Sequence, residues 1–112
     1  MNRQGVAAED AAVAYLQLRG LVLVERNYNC RFGEIDLIMR EGSTLVFVEV
    51  RQRRNTNFGS AAESITARKR QRLLLAARHY LGRTRARNAC RFDAALLAGD
   101  GAVEWLKDAF GE

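Results

Sequence analysis

The chain has 112 residues, of which 48% are hydrophobic, so it can bury a core as a single domain spanning residues 1–112. Two cysteines and one histidine exclude a disulfide scaffold and a four-ligand zinc site built from these residue types. No stretch of the sequence reaches the roughly 20 apolar residues that a membrane-spanning helix needs. We therefore expect a cytoplasmic domain that does not enter a membrane.

The first half of the chain predicts one helix and three strands. Apolar residues recur at helical spacing over residues 4–19, and Gly20 follows as a stop signal. The next segments are rich in β-branched and aromatic residues, which favour extended structure. Three strands are predicted, over residues 21–30, 33–40 and 44–51.

The second half of the chain predicts a helix followed by one or two strands. A capping box from Ser60 to Glu63 opens a helix that is predicted to run to Leu81 and to stop at Gly82. A strand over residues 91–98 and a short edge strand around residues 103–106 complete the chain. The predicted order is αβββαβ with an extra edge strand, which is an α/β fold.

Positive charge is concentrated between residues 51 and 91. This segment contains eleven arginines and Lys69 against Glu63 alone, whereas the rest of the chain carries six basic and twelve acidic residues. Arginine pairs bidentately with phosphate oxygens, so the basic half predicts a nucleic-acid partner. A solvated charged surface is the alternative, and it suffices for any single arginine.

Four charged residues interrupt the second and third strands: Glu34, Asp36, Glu49 and Arg51. If Glu41 and Gly42 form a two-residue hairpin loop, Glu34 pairs with Glu49, and Asp36 lies diagonally across on the same face. Carboxylates this close need neutralisation. Arg51 could supply it in a structural ion cluster, or Asp36 and Glu49 could hold a hard cation such as Mg²⁺.

The pattern of residues 33–38 and 45–53 resembles the YraN-like family of small bacterial proteins. The resemblance covers nearly the whole chain. It also includes Glu9, Lys69 and the segment of residues 91–93. That family is grouped with the restriction-endonuclease-like PD-(D/E)xK nucleases and is similar in layout to Holliday junction resolvases. The resemblance therefore implies a central mixed sheet flanked by helices.

The resemblance also implies roles for particular residues. Asp36 matches the metal-binding aspartate, Glu49 the acidic residue of the (D/E)xK element, and Glu9 an acidic residue that completes the metal site. The implied cofactor is Mg²⁺ or Mn²⁺, and the implied partner is nucleic acid, in particular DNA. A homodimer would suit an enzyme that cuts two strands of a junction.

Arg51 is a departure from the motif, because it stands where the motif has lysine. Arginine can stabilise charge and clamp a phosphate, but it does not deprotonate and cannot act as a general base. Asp36, Glu49 and Arg51 are thus the predicted catalytic residues. Contacts to the nucleic-acid backbone are predicted for Arg51, Arg53, Arg54, Arg68, Lys69 and Arg70, and Phe58 could stack on an unpaired base.

The sequence supports three hypotheses for function. The first is a metal-dependent endonuclease that acts on branched or single-stranded DNA rather than on a base sequence, because phosphate contacts read no sequence. The second keeps the fold and the basic surface without catalysis, as a nucleic-acid-binding module, and the departure at Arg51 is its main support. The third is a protein-interaction domain whose basic face meets an acidic partner.

Overall fold

The computed structural model describes residues 3–52 and 65–110 of the chain. Those residues form an α/β fold with two helices and five strands in the order αβββαββ, which confirms the predicted order and its extra edge strand. The helices and strands are α1 (Arg3–Leu18), β1 (Val22–Cys30), β2 (Gly33–Glu41), β3 (Thr44–Gln52), α2 (Ala67–Thr84), β4 (Cys90–Leu97) and β5 (Val103–Phe110).

The five strands form one mixed sheet in the order β1-β2-β3-β4-β5. Neighbouring strands are antiparallel except β3 and β4, which are parallel. Parallel strands need a crossover connection, and the segment containing α2 supplies it. The chain therefore enters β4 beside β3, with α2 lying over the sheet.

The two helices cover opposite faces of the sheet, each over its own hydrophobic core. Side chains alternate along β3, so Val46 and Val48 face α1, whereas Leu45 and Phe47 face α2. Alanines in both helices allow close packing on the sheet. Residues buried on the α1 side include Ala12, Leu16, Leu37 and Met39, and those on the α2 side include Ile35, Ile38, Leu73, Ala77, Tyr80 and Phe92.

The β2–β3 hairpin has a different register from the one predicted. Its loop is Gly42-Ser43 and Glu41 pairs with Thr44, so the pairing is shifted by two residues. Gly42 takes a φ of +59°, which glycine adopts without strain at the first position of such a loop. Glu41 stays in the strand, where its carboxylate is 2.6 Å from a guanidinium nitrogen of Arg91. An even shift by itself leaves paired side chains on the same faces, but the alternation of β2 is broken: Ile35 and Ile38 both pack on the α2 side, whereas Leu37 packs on the α1 side.

The C-terminus of α1 agrees with the sequence prediction, and the C-terminus of α2 does not. Gly20, with a φ of +94°, ends α1 in a Schellman motif, as predicted. The prediction that Gly82 ends α2 is wrong, because the helix continues to Thr84 and turns left-handed at Arg85. A glycine inside a helix costs only ~1 kcal/mol relative to alanine, and the packing of neighbouring Tyr80 offsets this.

The N-terminus of α2 is capped by Thr66, whose hydroxyl accepts the amide hydrogen of Lys69 at 3.2 Å. Ile65, predicted as a helical residue, precedes the helix and is buried. The predicted capping box from Ser60 to Glu63 lies outside the described residues. In the segments that the structure does describe, no helix is long and apolar enough to cross a membrane.

The last two strands are held together by a buried carboxylate, that of Asp93. It is fully buried and accepts hydrogen bonds from Arg91 Nε (3.0 Å), from Trp105 Nε1 (2.9 Å) and from the amide of Asp108 (2.9 Å). The register of β4 and β5 shifts beside it, and Asp108 has a φ of +54°. Asp93 thus stabilises the irregular edge of the sheet and has a structural role.

Replacing Asp93 with alanine should lower the free energy of unfolding by about 3 kcal/mol or more, because three donors, among them the half-buried Arg91, lose their acceptor. Urea unfolding followed by circular dichroism measures the change. Asp10→Ala removes a carboxylate from an exposed ion pair with Arg26 and should cost less than about 1 kcal/mol. Equal losses in the two variants would contradict this role for Asp93.

Candidate functional site

The candidate site lies where β2 and β3 separate. Their described pairing ends at Leu37 and Val48, although β2 continues beside β1 to Gly33 and β3 continues beside β4 to Gln52. In the register of the hairpin, the next facing positions belong to Asp36 and Glu49. The sheet therefore has an opening between its second and third strands, with acidic side chains at its edge.

Asp36 closes the end of the β2–β3 ladder through its side chain. Its Oδ2 atom accepts the amide hydrogen of Val50 at 2.9 Å, where a backbone carbonyl would otherwise serve. The corrected register also changes the expected geometry, since Asp36 rather than Glu34 is the residue that lies against Glu49. The two carboxyl groups are close enough to share a hydrogen bond.

Four carboxylates from three elements meet at this opening: Glu9, Glu34, Asp36 and Glu49, here called the acidic cluster. One carboxylate oxygen from each of Glu9, Glu34 and Asp36 lies within 4.8 Å of the other two. Glu9 reaches the opening from α1 on one side of the sheet. Of the three predicted metal ligands, Glu9 and Asp36 belong to this set together with Glu34, whereas Glu49 joins them as a lining residue of the same cavity.

Glu9 and Glu34 are held by a donor that the sequence prediction did not include, Asn27. The Asn27 amide lies 3.1 Å from both carboxylate oxygens of Glu9 and 3.4 Å from Oε1 of Glu34. Its φ of +51° belongs to the left-handed region, which asparagine tolerates better than most residues. Arg26 adds an ion pair to Glu9 at 3.3 Å. Both glutamates are thus positioned before any ligand binds.

The pKa of Asp36 is raised to about 8 by burial first and by the negative charge of Glu49 second, with a smaller contribution from Glu9. The hydrogen bond from the Val50 amide lowers the pKa but does not outweigh burial. Strongly perturbed carboxyl groups in clefts are characteristic of functional sites. Asp36 is therefore a carboxyl group that lacks a sufficient positive charge beside it.

Glu49 has a cation beside it, and that cation is not Arg51. The side chain of Glu49 is 3% exposed, and its Oε1 lies 3.1 Å from Nζ of Lys69, which comes from the first turn of α2. Leaving a carboxylate this buried without a partner would cost several kcal/mol. Lys69 therefore compensates the charge of Glu49 from the face of the sheet opposite to α1.

Two cavities adjoin the acidic cluster, and Asp36, Glu49 and Lys69 line both. The first cavity, about 400 Å³, lies against α2 and also includes Glu34. The second cavity, about 570 Å³, opens towards α1 and also includes Glu9. The remaining charged residues are Arg68 and Arg72 in the first cavity, and Arg51 in the second.

Of the seven predicted site residues that the structure describes, five line the second cavity together: Glu9, Asp36, Glu49, Arg51 and Lys69. Arg68 borders the first cavity. Arg70 lies elsewhere, because its Nε donates to the carbonyl of Ile65 and its guanidinium stacks 5.7 Å from the Phe110 ring centroid. Three further predicted residues, Arg53, Arg54 and Phe58, lie outside the part of the chain that the structure describes.

Sequence reasoning missed two features of the site, Asn27 and Arg72. Arg72 follows Arg68 by one helical turn, and this spacing in a basic helix is the signal that could have placed both beside the same cavity. For Asn27, the only signal is a residue type that tolerates positive φ within an extended segment. Nothing in that pattern shows which carboxylates the side chain would reach.

The donor set of the acidic cluster fits a hard divalent cation. Carboxylate oxygens are the ligands that Mg²⁺ and Ca²⁺ prefer. Two oxygens on one ion lie at most about 4.2 Å apart for Mg²⁺ and about 5 Å apart for Ca²⁺. The separations within 4.8 Å among Glu9, Glu34 and Asp36 are of this size. Glu9, Glu34 and Asp36 could therefore hold a divalent cation of this kind.

The fold and the site together define a small α/β protein with an acidic cluster in an opening of its sheet and basic residues around it. Residues 8–97 match the family described as "Uncharacterised protein family UPF0102", and the chain belongs to this family. A UPF0102 protein of Nitrosospira multiformis is 57% identical over 112 residues, covering 98% of this chain and 94% of the relative. A UPF0102 protein of Nitrosomonas europaea is 54% identical, covering 99% and 96%.

A third relative, a UPF0102 protein of Cupriavidus metallidurans, is 57% identical over 110 residues and covers 97% of this chain and 81% of its own length. The predicted resemblance to the YraN-like family, which is the UPF0102 family, is therefore confirmed at the level of the family.

Replacing Asp36 with asparagine should stabilise the protein increasingly as pH rises from about 4 to about 8. In this window the folded protein retains a proton that the unfolded chain, with an ordinary aspartate pKa near 4, has already released. The stability of the wild type therefore falls as pH rises, and the asparagine variant avoids this loss. At pH 8 and without divalent ions, the gain in unfolding free energy should exceed about 1 kcal/mol.

Chemical unfolding at pH 5, 6, 7 and 8 in EDTA measures the difference between the variant and the wild type. Asp100→Asn, in the turn before β5, controls for the loss of one negative charge far from the cluster. A difference between Asp36→Asn and the wild type that is the same at every pH would contradict the raised pKa.

Proposed function

We propose that this protein is a metal-dependent endonuclease that hydrolyses phosphodiester bonds of DNA and selects branched or single-stranded structure rather than base sequence. The observation that carries the proposal is the acidic cluster in the opening of the sheet. There Asp36 and Glu49 lie together between two cavities, each of which is also lined by basic residues. Carboxylates that bind a divalent cation next to phosphate-binding cations are what phosphodiester hydrolysis requires.

The fold supports the proposal. A mixed sheet whose first three strands are antiparallel, with the fourth parallel to the third across a helix, has the αβββαβ order of the restriction-endonuclease-like proteins. The family resemblance seen in the sequence implies that Asp36 and Glu49 correspond to the two acidic residues of the PD-(D/E)xK motif. The likeness of fold alone is an analogy, so the chemistry of the site must carry the function.

The residues of the acidic cluster have separable tasks in this mechanism. Asp36 and Glu49 would hold the cation, and Glu9 from α1, oriented by Asn27 and Arg26, would complete its ligands. Glu34, which has a carboxylate oxygen within 4.8 Å of those of Glu9 and Asp36, would offer a further ligand. When bound, Mg²⁺ or Mn²⁺ acidifies a bound water and polarises the scissile phosphate. The water oxygen would bond to phosphorus and release its proton to solvent, while the bond to the leaving oxygen breaks and that oxygen takes up a proton from solvent.

The basic residues around the cavities provide the contacts to the DNA backbone. Arg68 and Arg72 lie one helical turn apart beside the first cavity, and Arg51 lies in the second. The first turn of α2 also faces the first cavity, so the positive end of the helix dipole favours a phosphate there. Contacts of this kind are strong at low salt and do not read bases.

A second candidate function is a nucleic-acid-binding module that does not cleave. It is favoured by Arg51, which occupies the position of the motif lysine and cannot accept a proton. This candidate shares the DNA affinity and its salt dependence with the nuclease. Only a measurement of cleavage separates the two.

The wild type should cleave branched or single-stranded DNA with Mg²⁺ or Mn²⁺ and should be inactive in EDTA. Glu49→Gln should reduce the cleavage rate at least ~100-fold, because a neutral amide binds a hard cation poorly. Gel assays on labelled junction, single-stranded and duplex substrates measure the rates. Glu25→Gln is the matched control. Glu25 lies on β1 and pairs with Arg83 of α2, so its replacement removes the same charge outside the acidic cluster.

Three results are informative. Binding to DNA without cleavage under either ion would favour the non-cleaving module over the nuclease. The absence of both binding at low salt and cleavage would reject both nucleic-acid functions and leave the protein-interaction domain, with an acidic partner. Cleavage that survives EDTA or Glu49→Gln would point to a contaminating nuclease or to a different site.

Binding of Mg²⁺ should stabilise the protein more at pH 8 than at pH 6. The cation binds ionised carboxylates, and Asp36 retains its proton up to about pH 8, so bound metal must displace it. The apparent affinity should therefore increase up to ~10-fold per pH unit below that value. Isothermal titration of the wild type and of Asp36→Asn at both pH values measures this, and equal affinity of the wild type at pH 6 and pH 8 would argue against Asp36 as a ligand.

A further inference from the structure

We infer that Lys69 is a catalytic residue of the site, whose ammonium group contacts the scissile phosphate in place of the motif lysine that is absent at Arg51. The inference rests on the proposed nuclease function. The sequence predicts Lys69 only as one of several cations that contact the DNA backbone. In the structure it lies against Glu49, inside the acidic cluster.

Lys69 is the basic residue that lines both of the cavities beside the acidic cluster. Its Nζ lies 3.1 Å from Oε1 of Glu49, and it lines both cavities together with Asp36 and Glu49. Arg68 and Arg72 line only the first cavity, and Arg51 only the second. A phosphate that reached the acidic cluster from either cavity would therefore meet Lys69.

The type of residue is significant in this chain. Of the 18 basic residues only Lys69 and Lys107 are lysines, so arginine meets almost every other need for positive charge. A guanidinium is a flat, extended group, whereas an ammonium is a compact point charge with three donors. The compact group can contact an oxygen of Glu49 and an oxygen of a phosphate at the same time.

The exposure of the two side chains is also suited to this role. The Glu49 side chain is 3% exposed and is buried on β3. The Lys69 side chain is 40% exposed, so it contacts both Glu49 and solvent. The lysine can therefore maintain its contact with Glu49 and still present donors to a ligand in the cavity. A lysine that only neutralised Glu49 would not need to border both cavities.

The chemical role follows from the charge that develops during hydrolysis. As the water oxygen bonds to phosphorus and the bond to the leaving oxygen breaks, negative charge increases on the non-bridging oxygens. The positive charge of Lys69 stabilises this developing charge. Arg51 then holds a neighbouring phosphate, which does not require a proton acceptor.

Lys69→Met should lower kcat for cleavage ~100-fold or more, the usual effect of removing one donor that stabilises transition-state charge. The dissociation constant for uncut DNA in EDTA should rise less than ~10-fold, because one of many backbone contacts is lost. Lys69→Gln is the second variant, since its amide can donate to Glu49 and preserve the fold while lacking the charge. It should lose kcat to a similar extent.

Lys107→Met is the matched control. Lys107 lies on β5, pairs with Glu41 at 3.2 Å and borders neither cavity. It is the other lysine of the chain, so its loss changes the net charge equally. Its kcat should match that of the wild type, and thermal unfolding in EDTA should show that all variants are folded.

A measurement without metal or turnover tests the contact itself. Protein labelled with ¹³C at lysine Cε gives two signals, for Lys69 and Lys107, which Lys69→Met assigns. Addition of a short DNA strand in EDTA should shift the Lys69 signal and leave the Lys107 signal in place. A Lys69 signal that does not move at saturating DNA would overturn the inference.

Failure of the inference and failure of the proposed function give different results. A wild type that cleaves alongside an equally active, folded Lys69→Gln overturns only the role of Lys69. A loss of DNA affinity that accounts for the whole loss of cleavage would also overturn it, because it would reduce Lys69 to a backbone contact. A wild type that cleaves no substrate overturns the nuclease and this role together.

Discussion

The carboxylate of Asp36 accepts the amide hydrogen of Val50, and the rest of the candidate site depends on this exchange of a backbone acceptor for a side chain. It marks the point where β2 and β3 stop pairing while each continues beside its other neighbour. Without the opening, the face of the sheet would be closed, and a carboxylate from α1 and an ammonium from α2 could not meet across it. The arrangement buries Asp36 beside Glu49, which raises the pKa of Asp36 to about 8.

The carboxylates of the site are not equally compensated by positive charge, and the difference bears on function. Glu9 is compensated by Arg26 and Glu49 by Lys69, both through direct ion pairs. The pKa of Asp36 is determined by its burial, by the glutamates Glu49 and Glu9, and by the amide of Val50. Among the described residues, no cation compensates Asp36 in the way that Lys69 compensates Glu49. A purely structural cluster would be stabler with such a partner. By contrast, the buried carboxylate of Asp93 has three donors and belongs to the framework of the sheet.

The two helices divide the work of the site between the faces of the sheet. Helix α1 contributes Glu9 and packs its alanines on the sheet, whereas α2 contributes cations from its first turns. The start of α2 is determined by the cap at Thr66, which orients the following turn towards the opening. The position of Lys69 is therefore a consequence of where the helix begins, and this explains why a lysine so distant in sequence from Glu49 contacts it.

The sequence by itself determined the element order and the stop at Gly20, because periodicity and turn residues act locally. A family resemblance also singled out Asp36, Glu49 and Glu9, which the structure brings to one cavity. Only the tertiary structure decided the hairpin register and the extension of α2 beyond Gly82, since both depend on packing between distant segments. The contacts of Asn27 and Lys69 likewise needed the folded chain, because the residues that they touch come from other elements, and no local pattern encodes which side chains will meet across an opening in a sheet.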